Sequence, residues 1–461
     1  MLEKGRAEDV TPIRPQGQGI EDNADRRLRV LVVIHHLEIG GSQMAAIDLA
    51  SGVHDLGHEV LVAGPPGVLL DVIKDRGLRF EALEYDLPGR AVRRAIPGYR
   101  RLLEVTRAFG PDLVHTYELT PSLLTFVGAH LRDRVPMTMT VNSMAVPDFM
   151  PGSVPLQVCS PLIASEIRKR SGSVGVLEIP TDCVAQFPDY PGGSEFRSEL
   201  GVAPDELMVV VVSRFARALK QEGLETAVRA AARLAPRHRM RLVLVGDGPA
   251  MPELRALADE TNARAGRDVV VLTGERLDPR PAYASADVIL GMGGSLLRAM
   301  AFGKPCIVQG EHGYFRILDA QSAREFRWRG FYGIGGGGTG EDVLVDLLGR
   351  LLSDGELRKD NAAFALDLVR RHYSLEHARD EQVAWYRRAL KEYASPPRRE
   401  IARVVTSVAG WFANRAVQRV RGTAKKDHFN SAEAIEPGMR APVPDWFDPG
   451  PMQPSRGGAR R

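Results

Sequence analysis

The chain has 461 residues, 44% of them hydrophobic, and a formal net charge of +3 at pH 7. Such a length suits two domains with tails rather than one compact core, and so small a charge gives no electrostatic case for nucleic acid as a partner. No run of about 18 apolar residues occurs, so no transmembrane helix is expected. Met1 to Arg27 is charged and lacks the apolar centre of a signal peptide. The cysteines Cys159, Cys183 and Cys306 form no CxxC pair and are odd in number, which argues against a disulfide framework or a zinc site and fits a reducing cytoplasm.

Residues 1–26 read as a disordered leader. Leu28 to Ile34 is an apolar, β-branched run suited to a buried parallel strand. A loop through Gly40-Gly41-Ser42-Gln43 follows, then a helix to Gly57 and a strand from Glu59 to Ala63. This is a βαβ opening. The alternation continues with a helix at 68–76, a strand at 80–83, a helix at 98–109 and a strand at 111–115. Further strands are expected at 135–141, 156–160 and 174–179, with a helix at 161–170 before the last. The first parallel-sheet domain is placed at 27–186, with a turn-rich linker at 187–195.

A second domain is placed at 196–376. Met208 to Val212 forms its first strand and residues 222–235 an amphipathic helix with Leu224, Ala227, Val228, Ala231 and Leu234 inward. Strands at 240–245, 269–272, 286–290 and 305–308, the last closing the sheet, alternate with helices at 251–264 and 295–302. Helices at 340–353, 356–373 and 377–394 follow. Residues 399–421 read as a basic amphipathic helix, either packed on the protein or peripheral to a membrane surface. Residues 422–461, rich in Pro and Gly, read as a disordered tail. The fold class is α/β, two doubly wound sheets.

The candidate site residues gather at strand ends, where open α/β sheets bind ligands. Gly40 and Gly41 are either a tight strand–helix turn or a place where backbone meets a ligand. Their spacing is not GxGxxG, which argues against a dinucleotide site. Arg214, Arg217 and Lys220 follow a buried strand, which favours anion binding over a merely solvated face. Gly246-Asp247, Gly274-Glu275 and Gly293-Gly294-Ser295 end three further strands, either as turns or as one wall of a nucleotide cleft. Arg298 falls one turn into the following helix. His35, His36 and His115 end first-domain strands, as structural histidines or cleft residues. The run Gly333 to Gly338 has no following Lys-Ser/Thr and reads as a flexible loop. No sequence motif calls for a metal.

Together, Gly40-Gly41-Ser42-Gln43, Gly57-His58-Glu59-Val60, Pro111 to His115, the Arg214/Lys220 stretch, Gly246 to Pro249 and Ala299 to Pro305 resemble a GT-B glycosyltransferase of the family 4 type, over roughly residues 28 to 390. The resemblance implies two Rossmann-like halves facing a central cleft. The N-terminal half takes the acceptor, the C-terminal half a nucleotide sugar (UDP or GDP), and the helix at 377–394 crosses back to the first domain. It implies retention of anomeric configuration, a nucleotide diphosphate sugar as co-substrate, and neither metal nor cofactor. Arg214 and Lys220 match the family's diphosphate-binding pair and are the expected catalytic residues. Gly40, Gly41, Gly246, Asp247, Gly274, Glu275, Gly293, Gly294, Ser295 and Arg298 are the expected donor contacts; His35, His115 and Asn142 are expected on the acceptor or cleft side.

Three departures stand out. Where the family carries two glutamates eight positions apart, this chain has Leu290 and Arg298, with no acidic residue from Val288 through Lys304. Asn142 stands in place of a family histidine. The Arg-to-Lys spacing is one residue longer. Glu275 or Glu311 are candidate substitutes for the carboxylates. The expected function is sugar transfer to a glycan, lipid or metabolite. A degenerate, non-catalytic partner subunit, or a sugar phosphorylase or nucleotide-sugar epimerase on the same fold, are the alternatives.

Overall fold

The computed structural model describes residues 26–85, 92–167, 170–421 and 436–448. The expected leader, apart from Arg26, and most of the expected tail lie outside these residues. The chain forms two compact units. One runs up to Glu178 and resumes at Ala378; the other begins at Ile179, runs to His377 and takes the described residues beyond Asn430.

The first unit is a seven-stranded parallel sheet of order β3-β2-β1-β4-β5-β6-β7. Its elements are β1 (Arg29–Val33), α1 (Gly41–Asp55), β2 (Glu59–Gly64), α2 (Leu70–Asp75), β3 (Arg79–Ala82), α3 (Val92–Phe109), β4 (Leu113–Tyr117), α4 (Leu119–Thr125), β5 (Met137–Val141), β6 (Leu156–Val158), α5 (Pro161–Glu166) and β7 (Val174–Val176). Both faces of the sheet are covered, which is why β1 and β2 read as largely apolar runs. In β1, Leu31 and Val33 enter one core with Leu102, Val114 and Met139. Val30 and Val32 enter the other with Ile47, Ala50 and Val62.

The second unit repeats the plan with α6 (Gly193–Glu199), β8 (Leu207–Val212), α7 (Gln221–Leu234), β9 (Met240–Val245), α8 (Met251–Ala265), β10 (Val270–Gly274), α9 (Arg280–Ser285), β11 (Val288–Gly291), α10 (Gly294–Ala301), β12 (Cys306–Gln309), β13 (Phe315–Ile317), α11 (Ala323–Arg329), α12 (Glu341–Ser353) and α13 (Gly355–His372). The strand order is β10-β9-β8-β11-β12-β13. Met208 and Val210 face one core, Val209 and Val211 the other. The sheet does not close at residues 305–308: β13 adds an antiparallel edge, Ile317 opposite Ile307. A turn through Gly313, at φ +73°, reverses the chain, and a three-residue strand is too short to show a period of two. The short helices α6, α9 and α11 escape sequence periodicity for the same reason.

The chain returns to the first unit within α14 (Leu375–Glu392), and α15 (Arg398–Val420) follows. Trp385 and Tyr386 of α14 are buried there, and Trp385 donates to Thr138 Oγ1 at 2.8 Å.

Two boundaries differ from expectation. The units part at Glu178/Ile179 and not at 187–195; Tyr190 of the expected linker stacks edge-on against Phe302, 5.7 Å between centroids, and α6 starts at Gly193. The expected disordered tail contains α16 (Glu436–Arg440) and a docked segment. Arg324 donates to the carbonyls of Pro444 at 2.7 Å and Phe447 at 3.3 Å, and the Trp328 ring lies 5.0 Å from that of Phe447. Met439 and Phe447 are buried. Averaging composition over the whole tail hid these anchors.

One glycine carries a sharp constraint. Gly246, at φ +146°, lies so close to the strand-end loop after β8 that a Cβ would fall 1.8 Å from the Ser213 carbonyl oxygen. Gly246→Ala is expected to destabilise the second unit by about 2–4 kcal/mol, since both strain and collision oppose the side chain. A lowered urea midpoint checks this; an unchanged midpoint contradicts the close approach.

Candidate functional site

Each sheet reverses its strand order at one place, between β1 and β4 in the first unit and between β8 and β11 in the second. Crossovers leave in opposite directions there, opening a crevice at the carboxyl ends of the strands.

At the second unit's crevice, β8 runs into Ser213 to Lys220. Phe215, fully buried, anchors the loop: its N–H donates to the Asp247 carbonyl at 2.8 Å and its carbonyl accepts from Ala250 N–H at 2.9 Å. Arg214 is thereby left exposed, and its guanidinium has no partner among the described residues. Arg217 turns away to pair with Glu253 at 2.7 Å, so only two of the three cations serve the crevice. Lys220 caps α7. Burial, and then the charge of Arg214, push its ammonium down to about 7. Two cations are held together without a counter-ion among the described residues, an arrangement that an anion would relieve.

The neighbouring strand ends support this loop. Gly246 and Gly248 let Asp247 meet Phe215, and Asp247 Oδ1 accepts from Gly248 N–H at 2.6 Å. Asp247 and Glu275 are exposed, and the Gly274 carbonyl accepts from Gly246 N–H at 2.9 Å. These glycines therefore have a structural use as turns behind the cation loop. Gly293, at φ +55°, caps α10; the N–H groups of Leu296 and Leu297 donate to its carbonyl at 3.0 and 3.2 Å, while those of Gly294 and Ser295 have no intrahelical acceptor. The Ser295 hydroxyl donates to the Met292 carbonyl at 3.0 Å. Arg298 has a buried Nη2 with no hydrogen-bond partner, and no carboxylate pairs with it among the described residues.

Of the two candidate substitute carboxylates, Glu311 is the one built into the loop. Its Oε1 accepts from Leu219 N–H at 3.3 Å and its Oε2 from the Tyr332 hydroxyl at 2.7 Å. Leu219 sits at φ +66°, next to Lys220. Glu222 makes a parallel tie, accepting from Gly313 and His312 N–H at 2.7 and 3.1 Å. The glycine run expected as a flexible loop packs against this turn. Gly333 O accepts from Glu311 N–H at 3.1 Å, and Gly335 N–H donates to Glu311 O at 2.9 Å.

The first unit's crevice holds a residue that sequence reasoning passed over. β4 continues to Tyr117, two residues beyond the expected end, so Glu118 stands at the strand end rather than in a loop. It adopts φ +66°. Its Oε1 accepts from the Ser42 hydroxyl at 2.9 Å and Asn142 N–H at 3.0 Å, and its Oε2 from the Ser143 hydroxyl at 2.9 Å. Asn142 Nδ2 also donates to Ser42 Oγ at 3.1 Å. Burial raises the Glu118 carboxyl above its usual range, opposed by these three donors. The available signal was a carboxylate directly after a wholly buried strand. Nearby, Gln43 Nε2 lies 2.9 Å from His35 Nε2 and about as close to the His36 ring. Burial, aided by His36, pushes His35 down to about 3. A Cβ at Gly40 would fall 2.3 Å from Gln43 Oε1 and displace that amide, whereas at Gly41 it would meet nothing within 4 Å.

His115 does not belong to this crevice. It is sealed in the core, with Nδ1 2.8 Å from the Tyr386 hydroxyl and Nε2 2.7 Å from Thr140 Oγ1. Strand alternation in β4 turns it onto the α14 face. Among the described residues no group of three His, Cys, Asp or Glu side chains could hold a metal ion.

Two doubly wound sheets with polar loops at their switch points define a two-domain Rossmann-like protein. Residues 206–323 match the family described as glycosyl transferases group 1, and residues 40–166 match the glycosyl transferase 4-like domain. The alpha-D-kanosaminyltransferase of Streptomyces kanamyceticus is 30% identical over 203 residues, 42% of this chain and 48% of that protein. An uncharacterized glycosyltransferase of Methanocaldococcus jannaschii is 33% identical over 132 residues, 27% of this chain and 32% of that one. The chain thus spans half or less of these curated relatives. In fold, it is similar to a glycosyltransferase from Rickettsia africae ESF-5 (TM-score 0.64, 15% identity, 80% of this chain and 100% of that one). It is also similar to Anabaena Alr3699/HepE, solved in complex with UDP and glucose (TM-score 0.61, 16% identity, 78% and 99%). The chain belongs to the group 1, family 4-like glycosyltransferases and has the GT-B fold.

His115 is expected to act in stability alone. His115→Ala should cost about 3 kcal/mol, opening a cavity in the core and taking one hydrogen-bond partner each from Tyr386 and Thr140, while any nucleotide binding stays unchanged. Burial depresses the His115 imidazole to about 3, below its ordinary value of about 6.5. Its contribution is therefore present above about 6.5 and lost as pH falls toward 3, so the variant should show a shallower acid limb in unfolding. Weakened nucleotide binding in His115→Ala would return this residue to the site.

Proposed function

We propose that the protein transfers a sugar, with retention of configuration, from a nucleotide diphosphate donor to a glycan, lipid or metabolite acceptor. The observation that carries this reading is the uncompensated pair Arg214 and Lys220 at the switch point between β8 and β11. In the transfer, the bond between the anomeric carbon and the diphosphate oxygen breaks and its electron pair goes to the leaving diphosphate. The acceptor hydroxyl oxygen bonds to the anomeric carbon, and its proton passes to the leaving phosphate or to water. Charge builds on the diphosphate, where Arg214 grips in a fork and Lys220 acts as a compact charge. The first-turn N–H groups of α10 add a dipole of the same sign. The Anabaena protein's complex with UDP and glucose makes a UDP sugar the first donor to test, with GDP sugars next.

Arg298 and Leu290 shape a second reading. With no carboxylate from Val288 through Lys304, ribose and sugar hydroxyls lack the acceptors that the family resemblance places there, and the partnerless Arg298 Nη2 favours a phosphate or an acidic sugar. A chain that binds the nucleotide but transfers nothing, as a partner subunit, is the alternative. Release of nucleotide diphosphate, followed by mass spectrometry over a donor and acceptor panel, separates the two.

Adding UDP or GDP should raise the melting temperature, with about 2.7 kcal/mol of stabilisation at a hundredfold excess over Kd. Arg214→Ala and Lys220→Ala should each reduce transfer by about a hundredfold or more. No shift with any nucleotide diphosphate, or near-normal activity in either variant, would overturn the assignment.

Affinity should also depend on pH. With Lys220 near 7 in the free protein, the charged form that binds a diphosphate is lost above that value. Affinity should fall by up to about tenfold per pH unit above 7, and proton uptake on binding should be visible by calorimetry in buffers of different ionisation enthalpy. Flat affinity between about pH 6 and 9 would show that Lys220 does not meet the diphosphate.

A further inference from the structure

One side of α15 packs on the fold. Its first turns dock on the first unit: Val404 is buried in the core, with Val408 and Trp411 packed against it. Glu400 accepts the Ser153 N–H at 2.7 Å, and Arg403 donates to the carbonyls of Asp148 and Met150. Apolar side chains on the other side are exposed. Val405 is 57% exposed, Phe412 37%, Val417 46% and Val420 89%. Val405, Ala409, Phe412, Ala416 and Val420 recur every three or four residues, which sets them in one row along the helix.

Arginines border that row. By helical geometry Arg415 and Arg419 lie along one side and Arg399 and Arg421 along the other, with Arg398 at its start. The guanidinium of Arg415 lies 5.4 Å from the Trp411 ring centroid. From 398 to 421 there are six arginines and one carboxylate, and that carboxylate, Glu400, is turned inward.

We propose that this face of α15 lies flat on a bilayer containing anionic phospholipid. Valine and phenylalanine side chains would enter the acyl boundary, while the bordering arginines reach lipid phosphates along their aliphatic stems. A second copy of the chain is a poorer occupant, because two such faces would oppose arginine to arginine with no carboxylate between them. A nucleic acid would leave the apolar row in water. Among the described residues no helix is long and apolar enough to cross a membrane, so α15 would attach at the surface.

The test is sedimentation of the full chain with vesicles, which reads binding without any transfer reaction and so stands apart from the activity assays. The chain should partition onto phosphatidylcholine vesicles containing about one-third phosphatidylglycerol at least tenfold more strongly than onto phosphatidylcholine alone. Salt at about 0.5 M should weaken that binding, and soluble glycerophosphate should not compete for it. Two triple variants, Val405→Ser/Phe412→Ser/Val420→Ser and Arg398→Glu/Arg399→Glu/Arg421→Glu, should each lower partitioning by about tenfold or more at unchanged melting temperature. Three outcomes would overturn the proposal: no vesicle binding by the intact chain, wild-type binding by both variants, or a concentration-dependent dimer that the serine variant abolishes.

Discussion

The candidate donor site depends on how the Phe215 backbone is held. With its N–H on the Asp247 carbonyl and its carbonyl on Ala250 N–H, the residue after Arg214 cannot move without breaking two buried hydrogen bonds. The side chain is buried as well, so the loop has a fixed root and a charged rim. Arg214 and Lys220 are presented from that rim. Gly246 and Gly248 exist to permit this contact, and Glu311 and Glu222 brace the far end of the loop against the turn after β12. Like charges held close are unfavourable on their own. Here rigid backbone keeps them together, and burial loads the cost onto the Lys220 ammonium.

The first unit solves a related problem with the opposite sign. Its crevice is centred on a carboxylate, Glu118, that is fully engaged by Ser42, Asn142 and Ser143. Those three residues come from the start of α1 and the end of β5, so one buried charge ties three strand-end loops together. A buried charge with three donors is affordable where a bare one is not. The histidines beside it, His35 and His36, are held by Gln43, and burial keeps the His35 ring neutral. One unit therefore offers a satisfied, neutral-to-acidic surface and the other a pair of unsatisfied cations. In the proposed reading, that contrast suits the second crevice to a diphosphate and the first to a hydroxyl-bearing acceptor.

Much of the scaffold was legible because it rests on local pattern. The apolar runs of β1, β2, β8 and β9, the periodicity of α7 and the glycine stops identify two doubly wound halves from neighbours in sequence alone. Misreadings fell where local pattern is short or averaged. A three-residue β13, six- and seven-residue helices and the apolar anchors inside the Pro/Gly-rich tail carry too few residues to show a period. The boundary at Glu178/Ile179 was missed because the turn-rich stretch from Phe187 to Gly193 packs into the second unit.

Local sequence was enough for the class of fold, the family and the position of the cation loop. Each follows from residues close together in the chain and from strand ends that every doubly wound sheet exposes. Which polar residues share a site was set by folding in three dimensions. It joined Glu118 to Ser42, 76 positions away, removed His115 to the core through a contact with Tyr386 spanning 271 positions, and turned Arg217 out to Glu253. Partners so far apart are chosen by strand order and by the face on which each strand places a side chain. A crossover topology separates those partners in sequence, so no local spacing can announce them.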